Sequence, residues 1–154
     1  MTRTWPPPEY RVEVTFHAPS DFVFKWCTDY TSTDAKLEGE AYVRKIVKRS
    51  KTQVIYEDLE EDSDGWFWTR HLVRLSPPDH WHSDSIGSHR EYSLDYRLTP
   101  LGREETRLTL TARRRPTSRG PKNPSKAKWE GDVAGNWKLF ARALERDYRR
   151  STKA

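Results

Sequence analysis

The chain has 154 residues, enough for one domain with a substantial core and too few for two of ordinary size. Apolar residues make up 34% and charged residues 33%, yet Trp 7, Tyr 7 and Phe 5 separate it from disordered chains, which are poor in aromatic rings. Net charge is +5, but residues 1–112 carry 15 Lys/Arg against 19 Asp/Glu while residues 113–154 carry 13 against 4, so the basic character belongs to the last quarter.

Several classes drop out. No run approaches the roughly 18 apolar residues of a membrane span, and the stretch Met1 to Pro8 lacks an apolar signal region, so a cytoplasmic location is expected. Cys27 is the single cysteine, which excludes an internal disulfide and a cysteine-based zinc site. Gly87, Gly102 and Gly120 stand alone, so there is no glycine-rich phosphate loop and no cofactor is expected.

In chain order, Trp5-Pro6-Pro7-Pro8 predicts a stiff extended lead-in over residues 1–8. Tyr10, Val12, Val14 and Phe16 alternate with polar residues, the period of a half-buried strand. Ser20 or Asp21 can cap a short helix over about residues 21–30 that gathers Phe22, Val23, Trp26, Cys27 and Tyr30 on one side. Ser32 to Gly39 is polar, a turn or second short helix. The period then returns to two. Tyr42–Arg49, Gln53–Glu60, Trp66–Leu75, His80–Ile86, Glu91–Thr99 and Thr106–Arg114 read as six strands, with Ser50-Lys51, Asp64-Gly65, Pro77-Pro78-Asp79, Gly87-Ser88 and Pro100-Leu101-Gly102 as turns. In the later strands Tyr92, Leu94, Tyr96, Leu98, Leu108, Leu110 and Ala112 share one face, and Glu91, Asp95, Arg97, Arg107 and Arg113 the other. In the second strand the two faces compete, because Tyr42 and Ile46 oppose Val43 and Val47. Asn123 as cap and Pro124 as first helical residue open a helix of about 25 residues. Trp129, Val133, Trp137, Phe140, Leu144 and Tyr148 form its stripe, leaving residues 151–154 as a tail. A sheet with one apolar face needs a cover, and this last helix is the element long enough to supply it.

Three stretches carry a resemblance. Val12-Glu13-Val14-Thr15-Phe16-His17-Ala18-Pro19, followed by Phe22-Val23-Phe24-Lys25-Trp26, and then Asp29-Tyr30, resemble the first strand and first helix of the START-like, or SRPBCC, superfamily. Leu98-Thr99-Pro100-Leu101-Gly102 before Thr106-Arg107-Leu108-Thr109 resembles its last hairpin, and the element order is similar over about residues 9–150. The resemblance implies an α+β helix-grip: a seven-stranded curved antiparallel sheet wrapped around a long C-terminal helix, in a single domain. It also implies a cavity between sheet and helix, used across the superfamily for lipids, sterols and polyketides. The superfamily has no universal catalytic motif, so no catalytic residue is carried over.

The residues suggest several sites. Trp26, Phe67, Tyr92, Tyr96, Trp137 and Phe140, with His71, are the candidate lining of a pocket for a flat apolar ligand; the competing account of each ring is core packing. His71 shares a strand face with Phe67, Thr69 and Val73, and as a general base it has Asp58 or Asp95 as candidate partners. His80 and His82 lie two apart on one strand and, with His89, are the residues that a metal would need to draw together; the plainer account is exposed polar positions. Cys27 reads as buried and inert. The basic residues from Arg113 through Arg119 to Lys153 read either as a solvated helix face or as a surface for an acidic partner, and with no nucleic-acid module visible no nucleic-acid partner is expected.

Three functions follow: binding of a hydrophobic or aromatic small molecule in the cavity, a cyclase-, aromatase- or hydrolase-like enzyme using the same cavity through His71 with Asp58 or Asp95, or a basic-faced interaction protein.

Overall fold

A computed structural model describes residues 4–31, 42–62, 65–118 and 120–153. The elements are β1 (Tyr10–Phe16), α1 (Ser20–Thr28), β2 (Tyr42–Arg49), β3 (Gln53–Asp62), β4 (Gly65–Ser76), β5 (His80–Gly87), β6 (Arg90–Gly102), β7 (Glu105–Pro116) and α2 (Lys126–Thr152). The expected segment Ser32 to Gly39, the Asp64 half of one turn and Arg119 lie outside the described residues.

Short turns force each of β2 to β7 to pair with its neighbour in sequence, because a tight turn can join only antiparallel strands. The seven strands therefore make one curved antiparallel sheet in the order β1-β7-β6-β5-β4-β3-β2. β1 closes the order by docking on β7, with Val12 opposite Leu110 and Val14 opposite Leu108. Two glycines are required at the ends of strands. Gly65 opens β4 at φ 122°, a conformation that side chains resist. At Gly87 a Cβ would lie 2.2 Å from the Trp68 carbonyl oxygen.

Alternation divides the sheet. Tyr42, Arg44 and Ile46 of β2 face inward and Val43, 65% exposed, faces out, which settles the competing faces of that strand. Trp66 and Trp68 of β4 also lie outside, 62% and 39% exposed. Inside, one part of the sheet is apolar. Phe16, Val54, Val73, Trp81, Leu98 and Leu108 pack with Phe24 of α1 and Ala141 and Leu144 of α2. Tyr10, Val12, Leu110 and Ala112 pack with Trp129, whose ring stacks on Tyr10 at 4.6 Å between centroids.

The helix starts differ from the sequence expectation. Pro19 is the N-cap of α1, and Ser20 and Asp21 are its first helical residues. α2 is capped by Ser125, whose Oγ accepts from the Lys128 N–H at 3.2 Å. Asn123 is drawn away by the buried Arg114. Its Oδ1 accepts from Arg114 Nη1 and its Nδ2 donates to the Arg114 carbonyl, each at 2.8 Å. The Arg114 guanidinium also donates to the Pro121 carbonyl at 3.2 Å, and a buried guanidinium stripped of its closer acceptor costs more than an unfilled cap position, so this use of Asn123 wins.

Candidate functional site

The inner face turns polar along one stretch of β2 to β5, and the strand register determines which side chains meet. Tyr56, His71, Ser85 and Tyr92 stand directly opposite one another across β3, β4, β5 and β6. In the next inward row Arg44 stands opposite Asp58, and Asp58 opposite Thr69. Directly opposed side chains on one face lie within contact distance. His71 Nδ1 is accordingly 2.6 Å from Ser85 Oγ, and the His71 ring stacks on Tyr56 at 4.4 Å. Arg44 grips Asp58 with two parallel bonds, Nε to Oδ1 at 2.8 Å and Nη2 to Oδ2 at 2.9 Å. Its guanidinium also lies over the Tyr56 ring at 4.3 Å. His71 Nε2 is 3.5 Å from Asp58 Oδ2.

These groups are withdrawn from water: the Arg44 and Asp58 side chains are 7% and 8% exposed. Burial opposes ionisation of Asp58, but the hydrogen bonds from Arg44 and His71 outweigh it and hold the carboxyl below the usual carboxylate range. Burial likewise disfavours the Arg44 cation, and the Asp58 bond more than restores it. Burial raises the Tyr56 phenol well above its ordinary value. Arg44 and Asp58 thus face the interior as a fixed ion pair.

The polar wall bounds a cavity of about 690 Å³ between the sheet, the end of α1 and α2. Trp26, His71, Tyr92, Tyr96, Trp137 and Phe140 line it. Trp137 meets Phe140 edge-on at 5.1 Å and Tyr96 at 6.1 Å. Trp26 Nε1 donates to Asp147 Oδ2 at 2.8 Å, tying α1 to α2 at the cavity edge. Cys27 is half-buried on this wall, and burial pushes its thiol above the ordinary range.

Other expected residues lie elsewhere. Phe67 is not on the cavity wall. It stacks on His89 at 4.6 Å, near the Arg90 guanidinium, where the β5–β6 turn folds over the start of β4. Asp95 cannot partner His71, because it sits one residue before Tyr96, on the outer face of β6. There its Oδ1 is bonded to His80 Nε2 at 2.7 Å and to His82 Nδ1 at 3.1 Å. Burial opposes its ionisation, and the bonds to the two histidines lower its pKa all the same. His82 Nε2 meets Asp84 at 3.0 Å. His89, stacked on Phe67, does not join His80 and His82, and among the described residues no group of three or more histidine, cysteine or carboxylate side chains is arranged to hold a metal ion. Arg44, Ser83 and Ser85 were absent from the sequence expectation. The signal for them was parity: Ser83 and Ser85 follow Trp81 at intervals of two, and Arg44 lies between Tyr42 and Ile46.

No protein-family model matches the chain, and no curated protein matches it by sequence. Solved structures do match. The Zhui aromatase/cyclase from Streptomyces sp. R1128 superposes with a TM-score of 0.66 at 15% identity, over 96% of each chain. A START superfamily protein from Mycobacterium smegmatis gives 0.65 at 15% identity, over 92% of this chain and 97% of that one. Ara h 8.0201 gives 0.68 at 12% identity, over 89% and 97%. The fold is the START-like helix-grip. At these identities the helix-grip likeness establishes architecture, and chemistry resides in the side chains of the site. No helix among the described residues is long and apolar enough to cross a membrane.

Proposed function

We propose that the protein binds a flat, hydrophobic or aromatic small molecule in the cavity beneath α2. The observation that carries this reading is the pairing of a ring-lined space of about 690 Å³ with a cluster of fixed polar groups on the sheet. Pockets for small organic molecules run to roughly 300–1,000 Å³, mostly apolar, with a few fixed polar groups. Trp137, Phe140, Tyr96 and Trp26 supply the apolar contact, and the His71–Ser85 pair offers hydrogen bonds that set one end of the ligand. Burial of ligand surface contributes about 25 cal/mol per Å² before ordering costs. Titration with sterols, fatty acids and aromatic polyketides should quench or shift the emission of Trp26, Trp81 and Trp137, with Trp137→Ala weakening the response at least tenfold. Unchanged emission with every class, and no small molecule retained in native mass spectrometry, would falsify the proposal.

A cyclase- or aromatase-like reaction is the second reading. It is favoured by His71 and Asp58 standing together on the cavity wall, and by the likeness in fold to the Zhui aromatase/cyclase. An acidic partner is a separate proposal, resting on the outer face of α2. Lys138, Arg142, Arg146, Arg149 and Arg150 are all exposed there, and none is ion-paired with a described residue.

A further inference from the structure

Ser85, His71 and Asp58 form a chain whose order is that of a nucleophile, its base and the group that orients the base. Ser85 Oγ lies 2.6 Å from His71 Nδ1, and His71 Nε2 lies 3.5 Å from Asp58 Oδ2. The second distance is long for a resting hydrogen bond, as catalytic contacts often are without substrate. The partners favour one tautomer of the neutral ring. In the neutral ring, a proton on Nε2 faces the Asp58 carboxylate, which is gripped by Arg44 and can only accept, and Nδ1 is then the acceptor for the Ser85 hydroxyl. The imidazole is fixed on three sides: Tyr56 stacks on its face, and Ser85 and Asp58 hold its two nitrogens. Arg44 fixes Asp58 in turn with both of its oxygens. Ser85, His71, Asp58, Tyr56 and Arg44 all line the same cavity, and Ser83 Oγ, 3.5 Å from Ser85 Oγ, places a second hydroxyl beside the nucleophile. Binding alone does not require this order of groups.

We propose that Ser85 is an acyl-accepting nucleophile and that the cavity hydrolyses carboxylic esters of an apolar or aromatic acyl group. The inference rests on the cavity reading above and adds a reaction to it. Ser85 Oγ bonds to the ester carbonyl carbon as its proton passes to His71 Nδ1. The tetrahedral intermediate collapses, the C–O bond to the alcohol breaks, and the departing oxygen takes the proton from Nδ1. Water then attacks the acyl-Ser85 carbonyl, giving a proton to Nδ1. Collapse returns that proton to Ser85 Oγ and releases the carboxylic acid. The sum is ester plus water to acid plus alcohol. Asp58 and Arg44 touch no reacting atom and are positioning residues.

The test treats the full chain with p-nitrophenyl butyrate and with an alkyl fluorophosphonate. Expected are a burst of one p-nitrophenolate per chain and a phosphonate adduct on the peptide that contains Ser85. Ser85→Ala abolishes both, and its melting temperature shows whether it is folded. His71→Ala slows the burst at least 100-fold, and added imidazole restores it, a rescue that a purely structural role would not give. Asp58→Asn lowers the burst rate and keeps its amplitude, whereas a folding defect lowers the amplitude. Binding of 1-anilinonaphthalene-8-sulfonate by the unmodified protein reports the cavity separately. Dye binding with no adduct at Ser85, or with a burst unchanged in Ser85→Ala, overturns the nucleophile and leaves the cavity reading standing. No dye binding and no adduct overturns both.

Discussion

Arg44 and Asp58 show how a single residue pair carries both stability and site geometry. Neither charge can be left alone at their depth, since removing one partner of a buried pair exposes the full desolvation cost of the other. Asp58→Asn should therefore cost about 3 kcal/mol at neutral pH, read by denaturant titration. Arg44→Ala should cost at least as much, because its stem and its contact with the Tyr56 ring go as well. The Asp58 pKa is lower in the folded state than in the unfolded one. Its contribution is therefore fully present above roughly pH 4 and is lost as pH falls through the folded value. The stability gap between the parent protein and Asp58→Asn should close over that acid range. A gap that stays constant down to pH 2 would mean that Asp58 is not stabilised as a carboxylate.

At the scale of elements, alternation made most of the fold legible. Six strands are bounded within a few residues by their period of two, and the α2 stripe Trp129, Val133, Trp137, Leu144 is legible because the period is helical. The same parity already set Asp95 outward, since Tyr92, Leu94 and Tyr96 face in, so a partnership with His71 was excluded by the period along β6. Arg44, Ser83 and Ser85 were harder to see. An inward serine or arginine carries no hydrophobic signal, and only the cross-strand register shows which residues stand opposite it. The start of α2 is hidden in the sequence for a comparable reason, because Asn123 answers to Arg114 of β7. Ser125→Ala should accordingly cost about 1 kcal/mol through the lost cap. Asn123→Ala should cost about 2 kcal/mol, because it strips two bonds from the buried Arg114. Equal effects of the two substitutions would contradict this division of roles. Leu108→Ala, at a side chain 1% exposed in the main core, should cost about 3 kcal/mol. Val43→Ala on the outer face should stay within about 0.5 kcal/mol.

Across the whole molecule, the positive charge collects on the outer side of α2. The acidic side chains of α2 are engaged inward or along the helix: Glu130 with Lys126, Asp132 with Lys128, Glu145 with the His17 N–H and Asp147 with Trp26. The later cations of α2 are left facing solvent. The protein should therefore be retained on a poly-glutamate resin at low salt and released between about 0.1 and 0.3 M salt, as the screening length falls below roughly 10 Å. Charge reversal at Arg142 and Arg146 should abolish retention. Retention indifferent to salt would assign it to apolar contact instead.

The sheet also sorts five of the seven tryptophans into two optical populations. Trp66 and Trp68 stand on the outer face, where collisional quenchers reach them, while Trp81 is sealed inside and Trp26 and Trp137 border the cavity. An occupant should alter only the inner set, so the outer pair becomes an internal reference in every spectrum. Acrylamide can strip the outer signal first, and what is left reads the interior without any dye or label.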